Sequence, residues 1–109
     1  MVDTSYIRAL VCSLSESGSS LEEDLFAMIP KYGIEVDIDY AKDVLGDLVL
    51  EGVISHDASR AYTLTPKGES MISILKCDEL LIVLRLTGAN RSVKVFCNRL
   101  IEMQRSLLH

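Results

Sequence analysis

Side chains able to do covalent or metal chemistry are sparse in this chain. Cys12, Cys77 and Cys97 are odd in number, and no two of them have CxxC spacing. Small buried cysteines are ordinary core material, so neither a disulfide nor a metal is expected. His56 falls in a polar turn and His109 stands at the end of the sequence; neither completes a Cys/His set with zinc spacing. There is no Ser/His/Asp set, no carboxylate pair with an obvious pocket and no Gly-rich phosphate loop. The expectation is a protein that binds rather than catalyses, without cofactor or metal.

What remains is charge, and it is unevenly spread. The net charge is −5. Residues 1–65 carry four Lys/Arg against twelve acids, a balance of −8, and residues 66–109 carry seven against four, a balance of +3. Asp39, Asp43 and Asp47 recur at four-residue spacing, which on a helix stacks them along one face. A basic stripe is the usual footprint of a nucleic-acid binder, and this chain puts its positive charge in the other part.

The elements that must position these groups follow from periodicity. Asp3, Thr4 and Ser5 precede an apolar helical pattern, Tyr6, Ile7, Leu10, Val11 and Leu14, predicting a helix over about Thr4 to Ser15. Ser20 and Glu23 match a capping box for a second helix that Pro30 limits. Ile34–Val36 has the residues for one short strand. Asp37 or Asp39 caps a third helix, with Ala41, Val44, Leu45 and Leu48 inward and Gly52 as its stop. Two strands flank the turn His56–Arg60. Thr65-Pro66 starts another helix, apolar on nearly all sides as far as Leu86, although periodicity leaves a strand open for Leu80–Leu86. After the break Thr87–Asn90, a last helix places Val93, Phe96, Cys97, Leu100, Met103, Leu107 and Leu108 on one side and Arg91, Lys94, Glu102 and Arg105 on the other.

Two signatures carry a resemblance. Leu48-x-x-x-Gly52-Val53-Ile54 is similar to the exit from a recognition helix, and Tyr62-Thr63-Leu64-Thr65-Pro66-Lys67-Gly68 to the end of a wing. Together they resemble the winged helix-turn-helix transcription regulators of the MarR and PadR kind, loosely over residues 4–76 and specifically from the third helix to Gly68. The resemblance implies a mostly α fold with a small two- or three-stranded β wing. Residues 1–76 would form the winged-helix domain and 77–109 a C-terminal helical extension. It also implies that the third helix enters the major groove of double-stranded DNA and that terminal helices form a two-fold homodimer. Carried onto this sequence, the DNA-binding candidates are Tyr40, Lys42, Ser59, Arg60 and Lys67.

The apolar content, 49% of residues, is high for so small a chain and predicts self-association, which monomeric light scattering at micromolar concentration would contradict. The expected dimer face is Leu80, Leu84, Phe96, Leu100, Met103 and Leu107; the alternative is that the last helix packs back onto its own domain. No apolar run is long enough for a membrane span, and the start lacks a signal-type segment, so a cytoplasmic protein is expected. Two functions follow. One is a DNA-binding transcriptional regulator acting as a homodimer. The other is a winged-helix interaction module whose acidic third helix meets a basic protein partner, without useful DNA affinity.

Overall fold

The computed structural model describes residues 2–108, with the Leu108 side chain and His109 outside the described residues. The chain is mostly helical with one small antiparallel sheet. The order is α1 (Thr4–Ser17), β1 (Ser19–Leu21), α2 (Glu22–Met28), α3 (Ile38–Leu50), β2 (Ile54–His56), β3 (Ala61–Leu64), α4 (Pro66–Ser70), α5 (Ile72–Leu75), α6 (Asp78–Leu86) and α7 (Val93–Leu108). A 3₁₀ turn, Ile29–Tyr32, follows α2, and another, Ala89–Arg91, precedes α7. No described helix is long and apolar enough to cross a membrane.

α1 is the central helix. Tyr6, Ile7, Leu10, Val11 and Leu14 are buried, and so are Thr4, Ala9, Cys12 and Ser13 on its other sides. Its N-terminus is capped by the Asp3 carboxylate, which accepts from the Ser5 N–H. α3 is capped in the same way by Asp37, which accepts from the Tyr40 N–H at 3.2 Å. It ends in a Schellman motif: Gly52 takes a φ of 73°, its N–H donates to Val49 O, and the Val53 N–H donates to Leu48 O at 3.0 Å. Thr65 caps α4 through the Gly68 N–H at 3.1 Å, and its hydroxyl donates back to the Gly52–Val53 backbone. The residues that identify the third helix and the hairpin are thus the ones that join them.

The sheet has the order β1-β3-β2. β3 pairs on one side with β2, setting Ile54 opposite Leu64, and on the other with β1, setting Ser20 opposite Tyr62. The third strand is therefore Ser19–Leu21 and not Ile34–Val36. The 34–36 segment is held elsewhere: the Tyr6 hydroxyl donates to Glu35 O and accepts from the Asp37 N–H. Ser20 consequently makes no capping box. Its hydroxyl bonds to that of Ser17 at 2.8 Å, while α2 starts after Leu21 with no side-chain cap and with Glu22, Glu23 and Asp24 at the favourable end of its dipole.

The stretch expected as one helix from Pro66 to Leu86 is broken into α4, α5 and α6. Met71 and Lys76 close the first two, and Cys77 takes an extended conformation before α6. Leu80–Leu86 is helical, with Leu81 and Leu84 inward.

The C-terminal face assigned to dimerisation requires correction. Leu84 is 3% exposed, and Phe96 and Leu100 are 0% exposed within the single chain. α7 packs against α3, α6 and the turn before it, so these side chains complete one continuous core shared with α1 and α3. Leu80 and Met103 are half-buried against that core. Of the six, Leu107 alone is exposed. The last helix packs back onto the residues before it, and the division at residue 76 does not separate two cores.

Candidate functional site

The surface that the sequence singled out lies on α3 and the β2–β3 hairpin. Burying Ala41, Val44, Leu45 and Leu48 fixes the rotation of α3, because residues at three- and four-residue spacing share a face. The opposite side must carry Asp39, Lys42, Asp43, Gly46, Asp47 and Leu50, and all six are exposed. Leu50 is 82% exposed, an apolar side chain standing in solvent at the end of an acidic face.

Tyr40 is not on that face. It is half-buried, its ring meets Tyr6 edge-on with centroids 4.9 Å apart, and its hydroxyl accepts from the Asp3 N–H at 2.6 Å. Its work is to tie the start of α3 to the start of α1, and the assignment as a DNA contact is withdrawn. Lys67 is also engaged. Its ammonium donates to the Glu51 carbonyl at 2.7 Å, at the C-terminal end of α3, where a cation satisfies an orphan acceptor and opposes the negative end of the dipole.

The hairpin turn is built by one carboxylate. Asp57 Oδ1 accepts from the Ser59 hydroxyl at 2.6 Å, the Ser59 N–H at 2.9 Å and the Ala61 N–H at 3.1 Å. The Ser59 hydroxyl, then the backbone N–H groups, hold the Asp57 carboxyl below its ordinary pKa. Ser59 therefore serves the turn. Arg60 follows at φ 68°, a left-handed conformation uncommon for a residue with a Cβ. Beside it, His56 and Tyr62 stack with centroids 4.2 Å apart and planes 4° apart. Tyr62 is half-buried against the edge of the core, and this stacked pair was missed because His56 was read as part of the turn, whereas it ends β2. The hairpin register, which sets His56 directly opposite Tyr62, was the available signal.

Of the five residues proposed to meet DNA, Lys42 and Arg60 keep free charged ends among the described residues. Both adjoin acids. Arg60 shares a depression of about 290 Å³ with Glu22, Glu23, His56 and Tyr62. Lys42 shares a groove of about 550 Å³ between α2 and α3 with Glu22, Glu23, Phe26, Pro30 and Ile38. Glu22 and Glu23, which the sequence reading left out of the site, thus lie between its two cations.

The three cysteines are free thiols, with Cys12 and Cys97 buried and Cys77 half-buried. Burial raises the pKa of the Cys12 thiol and pushes that of Cys97 up to about 12, which removes both from nucleophilic chemistry at neutral pH. Comparison with protein-family models, with curated proteins and with solved structures finds no match to this chain.

Proposed function

We propose that this chain is a winged helix-turn-helix module that docks a basic protein partner through the exposed face of α3. The fold assignment is supported by order and pairing: helix, strand, helix, helix, hairpin, with the first strand joining the far side of the hairpin's second strand. That arrangement agrees with the resemblance carried by Leu48–Ile54 and Tyr62–Gly68. The function is supported by one observation above the others. Asp39, Asp43 and Asp47 are exposed with no ion-pair partner among the described residues, beside an 82% exposed Leu50; Lys42 is the one cation on α3 itself, and Arg91 before α7 borders Asp43 and Asp47. Affinity for duplex DNA comes largely from cations that displace phosphate counterions, and this face offers the opposite sign.

A second reading, a DNA-binding transcriptional regulator, is favoured by Arg60. It stands at the hairpin tip, where a wing would meet a phosphate backbone or minor groove, and it is exposed. Titration of the purified chain with duplex DNA, including the promoter region of its own gene, separates the readings. Docking on protein predicts no shift at about 50 mM salt. A shift that weakens steeply with rising salt, and weakens again on Arg60→Ala, overturns it. In the positive arm, a basic partner recovered by pull-down is released by the double change Asp43→Lys and Asp47→Lys. A complex indifferent to those two changes removes α3 from the function.

A further inference from the structure

Two of the cations of residues 66–109, Lys67 and Arg105, line a common groove between α4 and α7, of about 560 Å³. That volume is in the range of small-molecule sites. Ser70 joins Lys67 from α4. Asn98, Ile101, Glu102 and Arg105 line the groove from α7 at spacings of three and four, with Gln104 beside them. None of these residues belongs to the exposed face of α3, so what the groove binds is independent of docking there.

The lining is rich in donors. Lys67 is half-buried, and one bond, to the Glu51 carbonyl at 2.7 Å, steadies its Nζ. An ammonium has three donors, so two remain. Arg105 is exposed and, like Lys67, has no carboxylate partner among the described residues. Asn98 and Gln104 add amides that both donate and accept. Ser70 gives its hydroxyl proton to the Lys67 carbonyl at 2.7 Å. The one carboxylate in the lining, Glu102, is shared with Arg99 at 3.8 Å. Lys94, one turn before Asn98 on the same side of α7, adds a further exposed cation. Residues 1–65 carry a balance of −8 and repel an anion that this groove attracts.

We propose that the groove binds a small organic phosphate, with the phosphate held between Lys67 and Arg105. Two cations from different helices suit a dianion better than a single carboxylate, and both side-chain types hold phosphate oxygens in charge-assisted bonds. The groove has room for a body beyond the phosphate. Ile101 offers that body an apolar contact, and Asn98 and Gln104 offer it paired donors and acceptors.

Glu102 sets a limit on the strength. Its charge opposes the phosphate, and the exposed Arg105 is screened by salt. The dissociation constant is therefore on the order of 1 mM, and it rises with ionic strength.

Amide chemical shifts of the isotope-labelled full chain, titrated at low salt in a phosphate-free buffer, read it directly. The probes are adenosine monophosphate, ribose phosphate, inorganic phosphate and adenosine. Both organic phosphates should move the amides of Ser70, Asn98, Gln104 and Arg105 saturably, inorganic phosphate more weakly, and adenosine not at all. Arg105→Glu, at an exposed position, should weaken binding by roughly tenfold or more, as loss of a charged hydrogen bond does, with the thermal unfolding transition in place. Glu102→Gln should tighten it several-fold. The absence of a saturable shift with either organic phosphate overturns the proposal. So do shifts that survive Arg105→Glu, and shifts spread equally over Lys31, Arg60 and the other exposed cations. Inorganic phosphate bound as tightly as the organic phosphates overturns the assignment of an organic ligand.

Discussion

Helices α3 and α7 are both amphipathic and pack against each other, yet their faces carry different information. On α3 the polar face is the informative one: Asp39, Asp43 and Asp47 stay in solvent, and their charge limits what can approach. On α7 the apolar face says only that Phe96 and Leu100 must be covered. It does not say by what, and the cover is the chain's own α3 and α6. An apolar stripe predicts burial without naming the partner. A free charged stripe names the partner's sign without proving that a partner exists.

The sharpest way to break this contrast is to remove the largest buried side chain on α7. Phe96→Ala should cost about 3–5 kcal/mol, the range for deleting a fully buried aromatic ring. Urea denaturation at a low concentration, where any dimer is dissociated, is the decisive condition. If Phe96 were an interface residue, the monomer would lose almost nothing there and self-association would be lost instead. The matching change on α3, Asp43→Lys, should leave stability nearly unaltered, as surface substitutions do.

Next in size is Gly68, which lies between the two regions at the start of α4. It is buried, and an added Cβ would collide with the Val53 carbonyl oxygen and crowd Leu64. The obstacle is backbone at the junction of α3 with the hairpin, so it cannot rotate away. Gly68→Ala should cost about 1–3 kcal/mol, as overpacking does, read as a lower urea midpoint with unchanged slope. A neutral result would mean that the hairpin can shift relative to α3, and that the candidate surface is not a rigid one.

The parts legible in the sequence are those fixed by local chemistry. Asp37, Gly52, Thr65 and Pro66 each mark an element boundary, because a cap or a left-handed residue acts within a few positions of itself. The three acids of α3 were legible as an exposed face for the same reason. What could not be read depends on distant pairings. Ser20 reads as a cap by spacing, but β3, some forty residues later, takes Ser19–Leu21 as a strand. Tyr40 and Lys67 read as free surface groups, and only the fold brings the Asp3 N–H and the Glu51 carbonyl to them. Ile82, Val83 and Leu86 look like core until the breaks at Met71 and Lys76–Cys77 turn α6 outward on that side.

A smaller effect tests the buried side through pH. Burial holds the Cys97 thiol protonated in the folded chain up to a pKa of about 12, against an ordinary value of 9.0 in the unfolded chain. Above pH 9 the unfolded chain releases a proton that the folded chain keeps, so the unfolded state gains stability. The contribution is intact below pH 9 and declines between 9 and 12, by roughly 1 kcal/mol at pH 10. Cys97→Ala removes this slope while lowering stability at every pH. The check is therefore the difference in unfolding free energy between the two proteins from pH 7 to pH 10. A difference that stays constant would mean that the thiol is hydrated in the folded state, and that the core under α7 is open to water.

The smallest expected effect bears on the exposed side. Arg60 adopts φ 68° at the tip of the turn that Asp57 organises, a conformation that glycine adopts without steric cost. If the turn needs nothing from the guanidinium, Arg60→Gly relieves strain but gives the unfolded chain more freedom. The net gain is at most about 0.5 kcal/mol, seen as a slightly higher midpoint in urea. A loss of stability would mean that the guanidinium is held by Glu22 or Glu23, which share its depression, and that the hairpin tip is closed by its own acids. A gain would leave Arg60 as a cation kept at a strained position without structural benefit. Strain at such a residue is a reason to look for function there. A stabilised Arg60→Gly protein that also lost a duplex-dependent shift would favour the DNA reading over docking through α3.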